Sequence, residues 1–148
     1  MLQREQGDGA ASNSGRSLER LAAALDRLAG MPYTRDDCLF CKIVAGAIPA
    51  DVVHRDDHVV AFRDINPQAP THILLIPTTH YENAAEVAAD DAHGLAALVV
   101  TARTLAEADG IDRSGYRIVF NTGAGAGQSV FHAHLHLLGG RSMGWPPG

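Results

Sequence analysis

The most regular pattern of apolar and polar positions in the chain lies at residues 128–138. His132, His134 and His136 alternate there with apolar residues, and a repeat of two residues is typical of a half-buried strand. The pattern therefore predicts a strand that carries all three histidines on one face. With a rise of about 3.3 Å per residue, the outer two histidines lie roughly 13 Å apart, too far for all three to bind one metal ion.

Apolar runs and turn residues predict the other elements of the chain. The predicted helices cover residues 38–45 and a long segment from Asp90 or Asp91 to Gly110, and the predicted strands cover residues 52–55, 58–63, 72–77 and 116–121. Strands followed by one long helix and two further strands indicate an α+β fold with a mostly antiparallel sheet.

The N-terminal part differs in character from the rest. Residues 1–34 are interpreted as an extension and residues 35–148 as one domain. Residues 1–15 are rich in small and polar residues and are expected to be disordered. An amphipathic helix is predicted at 17–29, where leucines recur at intervals of three and four residues. This helix is interpreted either as a docking element or, in preference, as an appendage to a domain that begins near Met31.

Composition restricts the partners and the location. The 148 residues carry a formal net charge of −5, which argues against a nucleic-acid polymer as partner, because such a surface normally carries a basic stripe. No apolar run reaches the roughly 20 residues that span a bilayer. The N-terminus also lacks the basic and apolar regions of a signal peptide. We therefore expect a cytoplasmic protein without a membrane partner.

Two further segments carry candidate chemistry. Cys38 and Cys41 form a C-x-x-C pair, which in the absence of export signals indicates a thiolate metal site or a redox pair. Residues 121–129 form a glycine-rich loop that enters the histidine strand. Glycines let backbone N–H groups approach an anion, and Ser129 adds a hydroxyl donor. The loop fits neither a P-loop nor a dinucleotide fingerprint. Loop and histidines together indicate nucleophilic chemistry on a phosphate.

Several motifs resemble one known family, in the family's order. They are His132-Ala133-His134-Leu135-His136-Leu137-Leu138, Asp64-Ile65-Asn66-Pro67-Gln68-Ala69-Pro70-Thr71-His72, Gly139-Gly140-Arg141 and Trp145-Pro146-Pro147-Gly148. From about Cys38 to Gly148 the chain resembles the histidine triad (HIT) nucleotide hydrolases and transferases, and the Hint branch in particular. The resemblance implies a HIT fold: a five-stranded, mostly antiparallel sheet with one long and one short helix, extended across a homodimer.

The resemblance also implies catalytic roles. His134 matches the family's nucleophile, whose imidazole attacks a phosphorus and forms a covalent nucleotidyl-histidine that water then cleaves. His72 is expected to support the orientation of His134, and His136 is expected to face the phosphate and neutralise growing charge. Ser129 is expected to donate to a phosphate oxygen or to the leaving atom. The implied nucleotide-binding residues, with Asp64 for the ribose, apolar residues for the base and the loop for the phosphate, are Phe40, Ile43, Phe62, Asp64, Ile65, Asn121, Gly127, Gln128, Ser129, His134, His136 and Trp145.

A metal site is implied in the same way. Cys38 and Cys41 resemble the zinc pair of many microbial HIT proteins, in which the other two ligands match His80 and His132. Four protein ligands make a closed tetrahedral site, so the Zn²⁺ is expected to be structural, with no cofactor required for catalysis. His132 then binds the metal, while His134 and His136 serve the phosphate. His54, His58 and His93 receive no role.

A Hint-type chain implies hydrolysis of the P–N bond in purine nucleoside phosphoramidates, such as adenosine 5′-monophosphoramidate or adenylylated lysine. The alternatives are a dinucleoside polyphosphate hydrolase or nucleotidyl transferase of another HIT branch, and a nucleotide-binding regulatory module. A zinc hydrolase that uses all three triad histidines as ligands is disfavoured by the strand spacing.

Overall fold

The computed structural model describes residues 11–30 and 32–148, and the chain divides into two units after Tyr33. In the first unit, helix α1 spans Ala11–Leu28. It begins before the predicted start at residue 17 and includes residues 11–15, which the sequence pattern assigns to a disordered segment. The leucine stripe of α1 is exposed. Residues 1–10, also expected to be disordered, lie outside the described residues.

The second unit is built on a sheet of five strands, all paired antiparallel. The strands are β1 (Val52–Arg55), β2 (Val59–Arg63), β3 (Thr71–Pro77), β4 (Tyr116–Phe120) and β5 (Leu135–Gly139), and their spatial order is β1-β2-β3-β5-β4. This confirms the predicted fold class. The extension of the sheet across a homodimer stays a prediction.

The two faces of the sheet bury different clusters, because successive residues of a strand point to opposite sides. On one face, Ile73 and Leu75 of β3 and Leu135 and Leu137 of β5 pack against helix α4 (Ala92–Ala108). Their side chains are buried. On the other face, alternate residues of β2 and β3 pack with the short helix α2 (Leu39–Val44) in a cluster that consists of Cys38, Phe40, Cys41, Ile43, Val60, Phe62, Leu74 and Ile76. The candidate chemistry lies on this second face.

Helix α4 agrees with the long predicted helix, and Asp91 is its N-cap, where its carboxylate accepts from the N–H of Gly94 at 2.8 Å. A further helix, α3 (Ala84–Asp90), precedes it and was not predicted. Its signal is a capping pattern, since Asn83 accepts from the N–H of Glu86. Among the described residues, no helix combines the length and apolar content needed to cross a bilayer.

Asp109, directly after α4, ties this helix to the sheet. Its carboxylate accepts from both terminal nitrogens of Arg63, at 2.9 and 3.0 Å, and from the hydroxyl of Thr71 at 2.8 Å. The Arg63 guanidinium holds the pKa of Asp109 below its ordinary value. The contact fixes the start of β3, one residue before His72.

Candidate active site and metal centre

The three histidines of the triad do not share one strand face. Strand β5 begins at Leu135, so only His136 lies within it. His132 and His134 precede the strand, outside any helix or strand, and both are buried. The predicted single strand is therefore wrong over residues 132–134. The reason is tertiary: His132 turns toward the cysteines, and its backbone carbonyl turns toward the ring of His134.

The four predicted metal ligands come together in one buried cluster. Nδ1 of His132 lies 3.5 Å from the sulfur of Cys38 and 3.5 Å from that of Cys41, and Nδ1 of His80 lies 3.4 Å from the sulfur of Cys41. In a tetrahedral zinc site, bonds of about 2.3 Å to sulfur and 2.0–2.1 Å to nitrogen separate the two atoms by about 3.5–3.6 Å. The residues present therefore fit Zn²⁺, and the predicted structural zinc site is confirmed in its ligands.

Hydrogen bonds orient the ligand atoms of this cluster. Nε2 of His132 lies 2.9 Å from the carbonyl oxygen of Pro77 and donates to it, which leaves the lone pair of Nδ1 for the metal. The N–H of Arg35 donates to the sulfur of Cys41 at 3.3 Å. Burial raises the pKa of the Cys41 thiol to about 12 and lowers the pKa of His132 to about 4. A bound cation would reverse this preference for the thiol and deprotonate it.

His134 is held in one tautomer. Its Nδ1 lies 2.7 Å from the carbonyl oxygen of His132, which can only accept, so Nδ1 carries the proton. The lone pair of a neutral ring then resides on Nε2, the atom that an attack on phosphorus requires. The ring of Phe40 packs edge-on against that of His134, with centroids 5.2 Å apart, and limits its rotation.

His72 contacts His136 rather than His134, contrary to the predicted support. The N–H of Gln68 donates to Nδ1 of His72 at 3.0 Å, so the proton of His72 is on Nε2. That Nε2 lies 2.9 Å from Nδ1 of His136 and donates to it. His136 is therefore protonated on Nε2, which is buried and has no hydrogen-bond partner among the described residues. The chain of hydrogen bonds ends on a free N–H donor.

Burial sets the charge of this pair. The pKa of His136 is lowered to about 4, first by burial and then by the neighbouring imidazoles of His134 and His72. Burial also lowers the pKa of His72, against the opposing pull of the Asp64 carboxylate. Both rings are neutral near pH 7, so His136 acts there as a dipolar N–H donor.

Asp64 completes a second cluster with His72 and His136, whose ligand atoms lie within 4.8 Å of one another. One carboxylate oxygen lies 3.4 Å from Nε2 of His72, and the other accepts from the N–H of Asn66 at 2.8 Å. The amide of Gln68 keeps the proton on the nitrogen that a metal would need. We therefore interpret the cluster as a hydrogen-bonded relay.

The glycine-rich loop contains a short 3₁₀-helix, Ala124–Ala126, between two glycines with positive φ, Gly123 at 84° and Gly127 at 91°. Apart from the adjoining residues of the loop, no atom of the described chain lies within 4 Å of the place where a Cβ would stand on Gly123 or Gly125. The loop thus has open space beside its backbone. Ser129 is exposed, and neither its N–H nor its hydroxyl has a partner within the described part of the chain.

Gln128 differs from its neighbours in the loop. It is only 4% exposed. Its side-chain amide accepts from the N–H of Gly123 and donates to the carbonyls of Glu82 and Val130. Both N–H groups of the Gln128 side-chain amide thus donate to backbone carbonyls of the protein. Neither is left free for the predicted contact between Gln128 and a phosphate.

The residues expected to contact the nucleoside differ in how exposed they are. Phe40, Ile43 and Phe62 are buried together in the cluster around α2, whereas Ile65 is fully exposed. Asn121 is half-buried at the start of the loop, and a Cβ on Gly127 would stand 4.0 Å from its amide nitrogen. Trp145 is 85% exposed. The base and ribose contacts of these residues and of Asp64 stay predictions.

Sequence reasoning missed the backbone groups of the site. The carbonyls of Pro77 and His132, the N–H of Gln68, and the carbonyl of Tyr81, which accepts from the N–H of Ala133 at 2.6 Å, all orient site residues. Every residue offers the same backbone atoms, so no sequence pattern distinguishes these four.

The comparisons agree with this geometry. The profile of the HIT domain matches residues 45–143. A purine nucleoside phosphoramidase of Escherichia coli strain K12 is 46% identical over 109 residues, which cover 74% of this chain and 92% of that protein. A 14 kDa zinc-binding protein of Zea mays is 47% identical over 128 residues, covering 85% and 95%. A HIT family hydrolase from Legionella pneumophila Philadelphia 1 has a TM-score of 0.73 and 55% identity, covering 76% of this chain and 100% of that one.

The matched residues 45–143 extend over most of the second unit, including its sheet and all three triad histidines. The chain belongs to the HIT domain family. The resemblance of its motifs to the histidine triad proteins is thereby confirmed.

Proposed function

We propose that this protein hydrolyses purine nucleoside 5′-phosphoramidates through a covalent nucleotidyl intermediate on His134. The observation that carries the proposal is the 2.7 Å hydrogen bond from Nδ1 of His134 to the carbonyl oxygen of His132. It fixes the tautomer whose Nε2 lone pair is the nucleophile. The 46% identity to a purine nucleoside phosphoramidase supports the choice of substrate.

In the first step, Nε2 of His134 forms a bond to phosphorus as the P–N bond to the leaving amine breaks. The Ser129 hydroxyl donates a hydrogen bond to the departing nitrogen, which takes a proton from solvent water and leaves as a neutral amine. The Nε2–H of His136 donates to a phosphoryl oxygen, where negative charge grows in the transition state. His72 keeps that proton on Nε2 of His136 through the relay.

In the second step, water attacks the phosphorus of the nucleotidyl-histidine and gives up a proton to the solvent, as the P–N bond to His134 breaks. The products are the nucleoside monophosphate and free His134 with its Nε2 lone pair restored. Cys38, Cys41, His80 and His132 would hold Zn²⁺ with four protein ligands, so the ion would supply structural constraint rather than a site for substrate or water.

The test is hydrolysis of a fluorogenic adenosine phosphoramidate by the wild type, His134→Ala and His54→Ala. His54 is the matched control, since it is a partly exposed histidine whose ring bonds to Asp56 and it belongs to neither the triad nor the metal cluster. We expect turnover in the wild type and in His54→Ala, and a loss of several orders of magnitude in His134→Ala. Rapid quench and mass spectrometry should place a nucleotidyl adduct on the peptide that contains His134. Full turnover by His134→Ala would refute the proposed nucleophile.

A dinucleoside polyphosphate, assayed beside the phosphoramidate, distinguishes the alternative substrate class. We expect the phosphoramidate to be hydrolysed with the higher kcat/KM. A higher kcat/KM for the dinucleotide would overturn the substrate assignment and leave the nucleophile intact.

A further inference from the structure

Gln128 is the one buried residue of the glycine-rich loop 121–129. Residues 124–127 and Ser129 are exposed, whereas Gln128 between them is buried. A buried primary amide must satisfy its polar atoms within the protein. Both polar atoms of the Gln128 side chain are bound within the protein.

Gln128 closes the loop through two hydrogen bonds to the backbone of Gly123. Its backbone N–H donates to the carbonyl of Gly123 at 3.2 Å, and its side-chain oxygen accepts from the N–H of Gly123 at 2.8 Å. The six-residue segment 123–128 is thus closed by two hydrogen bonds between its ends, which restrict the positive-φ glycine backbone.

The side-chain nitrogen of Gln128 fastens the closed loop to a neighbouring segment. It donates to the carbonyl of Glu82 at 2.7 Å and to that of Val130 at 3.1 Å. Glu82 belongs to segment 80–82, whose first residue, His80, belongs to the metal cluster. The second residue, Tyr81, accepts from the N–H of Ala133, between His132 and His134. Segment 80–82 therefore contacts the loop, the triad and the metal cluster.

We propose that Gln128 is a positioning residue that locks the glycine-rich loop onto segment 80–82 before a nucleotide binds, and that it makes no side-chain contact with the nucleotide. The role of the loop in phosphate binding rests on the function proposed above. The lock itself is a property of the free protein. It keeps Ser129 and the loop amides in place, so that binding need not order them.

The experiment compares hydrogen exchange, adenosine monophosphate affinity and phosphoramidate kinetics in the wild type, Gln128→Met and Gln128→Glu. Gln128→Met keeps the length of the side chain and loses all three side-chain hydrogen bonds, while the backbone hydrogen bond to Gly123 can persist. Gln128→Glu keeps the acceptor for Gly123 and loses the donor to Glu82. In both free variants we expect amides of the loop to exchange about tenfold faster or more, because buried partners lose their hydrogen bonds. Amides of strand β3 should exchange as in the wild type.

Adenosine monophosphate should bind both Gln128 variants more weakly than the wild type. At saturation, it should slow the hydrogen exchange of the loop amides back to the wild-type rate. Ser129→Ala is the matched control one residue away, because its hydroxyl has no hydrogen-bond partner in the described part of the chain. We expect it to turn over more slowly while its loop exchanges at the wild-type rate.

The opposite pattern would overturn the proposal. Loop exchange at the wild-type rate in both free Gln128 variants, with only nucleotide affinity reduced, would make Gln128 a nucleotide contact. Faster exchange in β3 as well would make it a general determinant of folding. If either variant fails to fold, Gln128→Asn, which keeps the amide but is one methylene shorter, provides the same comparison. Absence of phosphoramidate turnover in the wild type would instead refute the proposed function. The rate of hydrogen exchange in the loop would still test whether Gln128 holds the loop on segment 80–82.

Discussion

Removal of Zn²⁺ is the perturbation for which the structure gives the firmest expectation. The four ligands are already close to metal-binding separations, with sulfur–nitrogen distances of 3.4 and 3.5 Å. Nδ1 of His132 is kept free for the metal by the donation of Nε2 to Pro77. The folded protein therefore binds the ion without rearrangement, whereas the unfolded chain has no assembled site.

A ligand that binds only the folded state stabilises it by mass action. At a free zinc concentration about a thousandfold above the dissociation constant, the gain is roughly 4 kcal/mol. For a domain of little more than 100 residues, each kcal/mol shifts Tm by about 4 °C. Chelation should therefore lower Tm by about 15 °C.

The assay is thermal unfolding of the purified protein as prepared, after treatment with a chelator, and after zinc is restored, together with metal analysis. We expect one zinc ion per chain and a reversible loss of Tm. The double variant Cys38→Ser, Cys41→Ser is the control, and the chelator should not change its Tm. Full-length protein without zinc that melts at the same temperature as the zinc-loaded form would refute the reasoning.

Three further outcomes follow from the site and its supports. Asp109→Ala should lower the free energy of unfolding in urea by about 2 kcal/mol, because Arg63 loses a bidentate partner, whereas Arg103→Ala, at an exposed helix ion pair, should cost less than about 0.5 kcal/mol; equal effects would contradict this. His72→Phe should lower kcat by up to about a hundredfold with little change in nucleotide affinity, since His136 loses the bond that keeps its proton on Nε2; an unchanged kcat would exclude the relay. Because the pKa of His136 falls from 6.5 to about 4 on folding, the stability it contributes is fully present above about pH 6.5 and is lost as the pH falls toward 4. Relative to His136→Gln, the wild type should therefore lose Tm across this window, and parallel curves would refute the assignment.

Local patterns were enough to place most of the elements. The β-branched residues on both sides of Asp56 and Asp57 and the alternation in residues 116–121 mark three strands. The continuous apolar run 72–77 marks the strand that is buried on both faces. Gly110 and Asp91 mark the ends of the long helix. Such signals depend on neighbours in the chain, so they can be interpreted without the fold. The seven-residue helix α3 was missed because it is short and carries little apolar periodicity.

The histidine segment is where the pattern failed. Alternation predicts one strand, but strand β5 starts only at Leu135. Before Leu135 the chain is not paired in the sheet. There the ring of His132 contacts the cysteine cluster, and its backbone carbonyl accepts a hydrogen bond from His134. Sequence periodicity reports which residues are apolar. It does not report that His132 contacts Cys38, a residue distant in the chain, and therefore lies outside the strand.

The sequence by itself determined the type of sheet, because strand and helix patterns suffice for it, and its resemblance to the histidine triad proteins nominated the four metal ligands and His134. Only the tertiary structure decided which imidazole contacts which. It paired His72 with His136 and directed the amide of Gln128 into the protein, and it placed the protons of the rings. The physical reason is that a hydrogen bond depends on the position of two atoms to within a few tenths of an ångström. In this site the second atom often belongs to a backbone group, which the sequence does not distinguish.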